Sequence, residues 1–91
     1  MIVDYSKEFD NSIKKLTDKI ALKRLYKLIE DLEKAQSLSQ ISNVVPIINH
    51  PTIYRISRGD FRLFVEYFKG NINILLLEYL RRNEKTYRNY K

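Results

Sequence analysis

Arg55, Arg58 and Arg62 fall within the stretch IYRISRGDFRLFVEY, from Ile53 to Tyr67, and Arg81 and Arg82 open the final stretch LRRNEKTYRNYK. A guanidinium is permanently charged and presents a planar fork of donors that matches a phosphate or a carboxylate, so several on one surface hold a polyanion. In the final stretch, Arg81, Arg82, Lys85, Arg88 and Lys91 face a single Glu84, with Tyr87 and Tyr90 interleaved. Cations alternating with aromatic rings suit RNA, whose phosphates meet guanidinium groups and whose unpaired bases stack on rings. Metal chemistry is not indicated: the chain has no cysteine, one histidine and no clustered carboxylates. That histidine, His50, sits in an Asn-His-Pro turn and reads as structural.

The elements that position these residues follow from spacing. Two alternating runs flank Arg58-Gly59, the signature of a β-hairpin with a two-residue turn. A turn there pairs Ser57 with Asp60, Ile56 with Phe61, and Arg55 with Arg62. Like charges opposed across an antiparallel pair are destabilising unless an anion is held between them. Tyr54, Ile56, Phe61, Leu63, Val65 and Tyr67 fall on the other, apolar face. Gly70-Asn71 marks a second turn into a strand from Ile72 to Tyr79. Alternation then places Ile72, Ile74 and Leu76 with the core. It leaves Arg55, Arg62, Phe64, Leu75, Leu77, Tyr79 and Arg81 on the opposite face, basic at one end and apolar at the other.

Upstream, Met1 to Tyr5 reads as a short strand and Ser6 as a helix N-cap, followed by Phe9, Ile13 and Leu16 at helical spacing. A break at Thr17-Asp18 supplies a second cap. Ala21, Leu25, Leu28, Leu32 and Ala35 then repeat as one stripe, widened by Leu22 and Ile29. Gln36 to Asn43 is a loop, and Val44 to Ile48 is a short strand whose Pro46 calls for an edge. Two helices cover only one side of so small a sheet, which leaves the mixed face open.

Ninety-one residues, 44% of them hydrophobic, suffice for one small domain spanning 1–91 with one core. Seventeen Lys+Arg against eleven Asp+Glu give a net charge of +6, which suits a nucleic acid or an acidic protein partner. Without cysteine the fold does not rely on an oxidising compartment. No apolar run reaches the ~18 residues of a membrane span, and MIVDYSKEF lacks a signal-peptide core. A cytoplasmic location without membrane association is expected.

The chain resembles the RelE/ParE superfamily of toxins from bacterial type II toxin-antitoxin systems. YRISRGDFRLFVEY is similar to the family pattern Y-[RK]-I-x-x-G-[DY]-[YF]-R, and RRNEKTY to its looser terminal element ending in Tyr. The resemblance implies an α+β fold ordered β-α-α-β-β-β, with a small twisted antiparallel sheet and a helical hairpin packed on one face. It implies a cognate protein antitoxin as partner, no cofactor, and, in the RelE-like branch, endoribonuclease action on mRNA in the ribosomal A site. The ParE branch instead poisons DNA gyrase, and fold alone does not choose between the two. A member that no longer cuts, kept as an antitoxin-bound scaffold or corepressor, is a third possibility.

Carried over by residue, Arg62 closes the G-D-F-R motif and is the arginine that stabilises the phosphate under attack. Arg55 matches the basic residue of the preceding strand. Arg81 or Arg82 stands where the branch has an Arg or His, and Tyr87 where many members place a Tyr near the 2′-hydroxyl. Ser57 stands where a second basic residue is common, and an arginine stands where a close subset of the family has histidine, so neither position supplies a strong proton acceptor. Arginines supply preorganised charge at the phosphate. A tyrosine with an ordinary pKa of ~10 is shifted toward its ionised form by adjacent arginines, which makes Tyr87 the candidate general base. Arg58, Arg82, Lys85, Arg88 and Tyr79 are the expected RNA contacts, and Phe64, Leu75 and Leu77 the expected antitoxin contacts. Each has a plainer alternative: Arg55 or Arg62 in a surface pair with Asp60 or Glu66, Tyr87 packed under the sheet edge, and the apolar trio as cross-strand packing.

Overall fold

The computed structural model describes residues 1–82. The chain runs β1 (Ile2–Tyr5), α1 (Lys7–Lys14), α2 (Lys19–Lys34), a 3-10 turn (Leu38–Gln40), β2 (Val44–Ile47), β3 (His50–Arg58), β4 (Phe61–Glu66) and β5 (Asn73–Arg81). Both predicted caps are made. The Ser6 hydroxyl accepts from the Phe9 N–H at 3.0 Å, and Asp18 Oδ1 accepts from the Ile20 and Ala21 N–H groups at 3.0 and 3.1 Å. Each satisfies donors that the first helical turn leaves without a partner. The Met1 amino group donates to the Leu32, Glu33 and Ala35 carbonyls, where α2 ends and positive charge is favourable.

The five strands form one sheet in the order β1-β5-β4-β3-β2. The fold class is α+β, as expected, but the sheet is mixed, since β1 lies parallel to β5; β2 is the short edge strand expected at Val44 to Ile48, which gives the sheet one strand more than the formula implied by the resemblance. Parallel pairing arises because the two helices carry the chain from β1 across the sheet before it returns. Beyond Tyr5, α1 takes over the hydrogen-bonding side of β5 that β1 no longer reaches. Ser6 N–H donates to the Leu76 carbonyl, the Ser6 hydroxyl to the Leu77 carbonyl, and the Tyr79 N–H to the Ser12 hydroxyl. At the opposite edge β2 is irregular beside Pro46, as a residue without an N–H requires.

One face of the sheet packs on the helices. Leu25, Leu28 and Leu32 of α2 meet Ile56, Leu63, Val65, Ile74 and Leu76, all buried, with Phe9, Phe61, Tyr67 and Tyr79 in the same cluster. Leu38, in the segment expected as plain loop, plugs this core.

Both glycine turns are displaced by one residue from expectation. The hairpin loop is Gly59-Asp60, so Arg58 faces Phe61, Ser57 faces Arg62, and Arg55 faces Phe64. Gly59, at φ +59°, occupies the first turn position, the site where a II′ turn requires positive φ. The shift moves pairing by two residues and preserves every face, so Arg55 and Arg62 share a face but do not oppose each other. The second turn centres on Lys69-Gly70, with Gly70 at φ +87°, and Ile72 stays exposed ahead of the strand. His50 begins β3 instead of a turn, because Asn49 takes the positive φ.

A larger difference lies in β5. Its register against β4 shifts between Phe64 and Val65, where Val65 pairs with Leu76 and Phe64 with Glu78, leaving Leu77 as the extra residue of a bulge. Parity therefore reverses along the strand. Ile74 and Leu76 face the helices, and so do Tyr79 and Arg81, which were expected on the open face.

Truncating the α2 stripe with Leu28→Ala is expected to cost ~2–5 kcal/mol, as removal of a buried leucine does. Asp18→Ala is expected to cost ~1 kcal/mol through loss of the cap. Urea unfolding of both variants, read by far-UV circular dichroism, checks the two values and their order.

Candidate nucleic-acid interface

The arginines gather at the end of the sheet where the β3–β4 turn and the end of β5 lie together, joined by the Arg82 N–H to the Asp60 carbonyl at 2.8 Å. They divide between two faces. On the face away from the helices, β4 carries Arg62 and β3 carries Arg55. Arg62 Nη1 donates to the Gly59 and Phe61 carbonyls, both at 2.9 Å, which holds the half-exposed guanidinium against the turn. Arg55 is half-buried, with its Nε buried. Across the strands, rows run Ser57–Arg62–Leu80 and Arg55–Phe64–Glu78. Glu66 also lies on this face, accepting from the Thr52 hydroxyl at 3.3 Å. The face is thus less uniformly basic than alternation alone predicts, since the bulge rotates Glu78 onto it.

On the helix side, Arg58 Nη1 donates to the Ser42 and Ser57 carbonyls at 3.0 and 2.7 Å. Arg81 lies 4.7 Å from the centroid of the Phe61 ring, a cation–π contact, and approaches Asp18 at 3.9 Å. A fourth cation was not anticipated. The guanidinium of Arg24, on α2, packs directly on Gly59, in the space that a side chain would fill there. The only signal for it was a glycine at a turn position that some other residues tolerate. What needed the space lies 35 residues upstream, and only the tertiary fold supplies that contact.

Tyr79 is a correction. Expected as an exposed RNA contact, it is buried, stacked on Phe61 at 4.9 Å, with its hydroxyl donating to the Ala21 carbonyl at 2.9 Å. Burial pushes that hydroxyl up to about 12, Arg24 and Arg58 pull it partly down, and Asp18 adds to the rise. A group so held stays protonated and acts as a structural donor. Phe64, expected to greet an antitoxin, is fully buried, whereas Leu75 and Leu77 are half-buried. Arg82 is exposed. Tyr87, Lys85 and Arg88 lie outside the described residues.

Two clefts exceed the one of about 350 Å³ that includes Arg58. One, of about 700 Å³, runs between the helices past Tyr5, Phe9, Ile13, Tyr26 and Ile29; the other, of about 670 Å³, lies by Tyr54, Tyr67 and Leu38. Neither includes Arg55 or Arg62. A phosphate backbone docks on a convex, charged surface as readily as in a hollow, so concavity does not locate this site.

The backbone matches solved structures across almost its whole length. It superposes on the RelB-RelE antitoxin-toxin complex of Methanococcus jannaschii with a TM-score of 0.79 and 22% identity, covering 97% of this chain and 99% of that one. The fold is RelE-like. The intact Escherichia coli RelBE complex matches this RelE-like chain with a TM-score of 0.67 and 13% identity, over 91% and 98% of the two chains. The RelBE2 complex of Mycobacterium tuberculosis matches with 0.65 and 17%, over 91% and 92%. No protein-family model and no curated protein matches the sequence. At such identities the likeness is one of backbone.

Tyr79→Phe removes the bond to Ala21 and is expected to cost ~1 kcal/mol. The raised hydroxyl has a linked consequence. Below pH 10 both states keep the proton; between 10 and about 12 the unfolded chain loses it first, so stability falls with rising pH. Chemical unfolding across that range should show a shallower decline in Tyr79→Phe than in the native chain, with the remainder coming from groups such as Tyr5 that are raised in the same direction.

Proposed function

We propose that this chain is the toxin of a type II toxin-antitoxin pair, and that it cleaves mRNA positioned in the ribosomal A site. The observation that carries the proposal is a RelE-like fold with Arg62 held half-exposed at the hairpin tip, on the sheet face that the helices leave uncovered. In the proposed reaction the ribose 2′-oxygen attacks the adjacent phosphorus, its proton leaves to a base, and the P–O5′ bond breaks. The leaving 5′-oxygen takes up a proton, and the products are a 2′,3′-cyclic phosphate and a 5′-hydroxyl. Arg62 and Arg55 stabilise the charge on the phosphate oxygens. Arg82 takes the terminal position in preference to Arg81, whose guanidinium lies over Phe61 on the other face. Tyr87 is proposed as the base from its match to the family pattern, because a neighbouring guanidinium favours the ionised form of a phenol.

Neither histidine nor carboxylate stands among the residues carried over from the family pattern, so alignment of the 2′-hydroxyl falls to the ribosome. The partner is a cognate antitoxin, in keeping with neighbours solved as antitoxin-toxin complexes, and Leu75 and Leu77 are proposed among its contacts. Among the described residues, no feature favours the gyrase-poisoning or non-cutting alternatives.

Primer extension on a defined mRNA, with purified protein in the presence and absence of programmed ribosomes, tests the proposal. Discrete A-site cuts that require ribosomes are expected, slowed by ~10²–10³ in Arg62→Ala, the size of effect seen when one preorganised charge donor is removed. Tyr87→Phe should slow them as well. Uncut mRNA, from a protein that still arrests growth, would exclude the nuclease and favour gyrase.

A further inference from the structure

Gly59 is touched by two guanidinium groups from opposite sides. Arg62 reaches its carbonyl from the uncovered face at 2.9 Å, and Arg24 packs against its α-carbon from the helix side. Arg58 and Arg81 stand on the same side as Arg24, ringing the Phe61–Tyr79 stack. These four cations come from α2, β3, β4 and β5. Among the described residues, the only carboxylate within ion-pair distance of any of them is Asp18, at 3.9 Å from Arg81. Bringing like charges to one tip costs repulsion, which a bound anion relieves.

The holding contacts are also informative. Arg58 and Arg62 are oriented by backbone carbonyls, each through one nitrogen, so the remaining donors of each fork stay available. Arg81 is steadied by an aromatic ring, and Arg24 by the bare surface of a glycine. Guanidinium groups held in this way are ordered before a ligand arrives, which lowers the entropy cost of binding one.

We infer that Arg24, with Arg58 and Arg81, forms a second phosphate-binding site on the helix side of the hairpin tip. RNA passes over Gly59, with one phosphate on Arg62 and a neighbouring stretch of backbone on Arg24. The inference rests on the proposed RNA-directed function but concerns binding alone. Arg24 positions the strand and does not touch the reacting atoms.

The test is fluorescence anisotropy of a labelled single-stranded RNA against salt concentration, using the full chain, Arg24→Gln, and Lys23→Gln as a control of equal charge loss on the same exposed helix. Each contacted phosphate adds ~0.7 to the slope of log K against log salt for a single strand. Arg24→Gln is expected to weaken binding several-fold at low salt and lower the slope by ~0.7, with Lys23→Gln near the native value. Thermal melts confirm that both variants are folded. Equal effects of the two variants would overturn the inference, since only bulk charge would then matter. Absence of RNA binding, or tighter binding of duplex DNA with the same Arg24 dependence, would overturn it too. If RNA binds and depends on Arg24 while ribosome-bound mRNA stays uncut, the second site stands and the nuclease proposal fails.

Discussion

The Tyr79 hydroxyl bonded to the Ala21 carbonyl, with its ring stacked on Phe61, joins the last strand, the hairpin and the start of α2 at one point. That contact exists because the bulge at Leu77 turns Tyr79 inward; without it, alternation would aim the ring at the uncovered face. Several consequences descend from this one irregularity. Arg81 follows Tyr79 onto the helix side, where Phe61 and Asp18 receive it. Glu78 is rotated the other way, into the row of Arg55 and Phe64. Bulges bend a strand and re-aim its side chains, and here the residue after the bulge becomes an anchor between layers.

Holding several guanidinium groups at one end of a small sheet is an electrostatic cost that the fold manages with dipoles. Carbonyls of Ser42, Ser57, Gly59 and Phe61 accept from Arg58 and Arg62, and an aromatic face receives Arg81. Carbonyls and a ring leave the charge in place while holding the side chains, and among the described residues only Arg81 of the three also has a carboxylate, Asp18, at 3.9 Å. Cations oriented by carbonyls keep donors open, as opposed to cations consumed by surface ion pairs. On the exposed side of α2 the contrast is plain: Lys27 and Lys34 pair with Asp31 and Glu30 at 3.1–3.2 Å.

A RelE-like backbone contributes one sheet face packed on the helices and one turned away from them, with a hairpin turn at the end. It does not dictate chemistry, because the same scaffold carries whatever side chains its strands present. What individualises this chain is where its arginines end up, and the two clefts beside the helices and beside Tyr54, lined mainly by apolar and uncharged groups, stand apart from them.

The helices, their caps and the core stripe were legible in the sequence, since helical periodicity and capping depend on residues three or four apart. The pairing of Tyr54, Ile56, Leu63 and Val65 on one face was legible for a similar reason: alternation survives a two-residue slip. Turn placement was not, because Gly59 satisfies a positive φ at either turn position, and only packing of the two strands chooses between registers. The parallel β1–β5 pairing and the contact of Arg24 with Gly59 depend on residues far apart in the chain, which no local pattern encodes. The fate of Tyr79 and Arg81 turned on a single unpaired residue. Local spacing thus determined which elements form and which faces are apolar. Tertiary structure alone decided which arginines share a surface, because one bulge reverses every side chain that follows it.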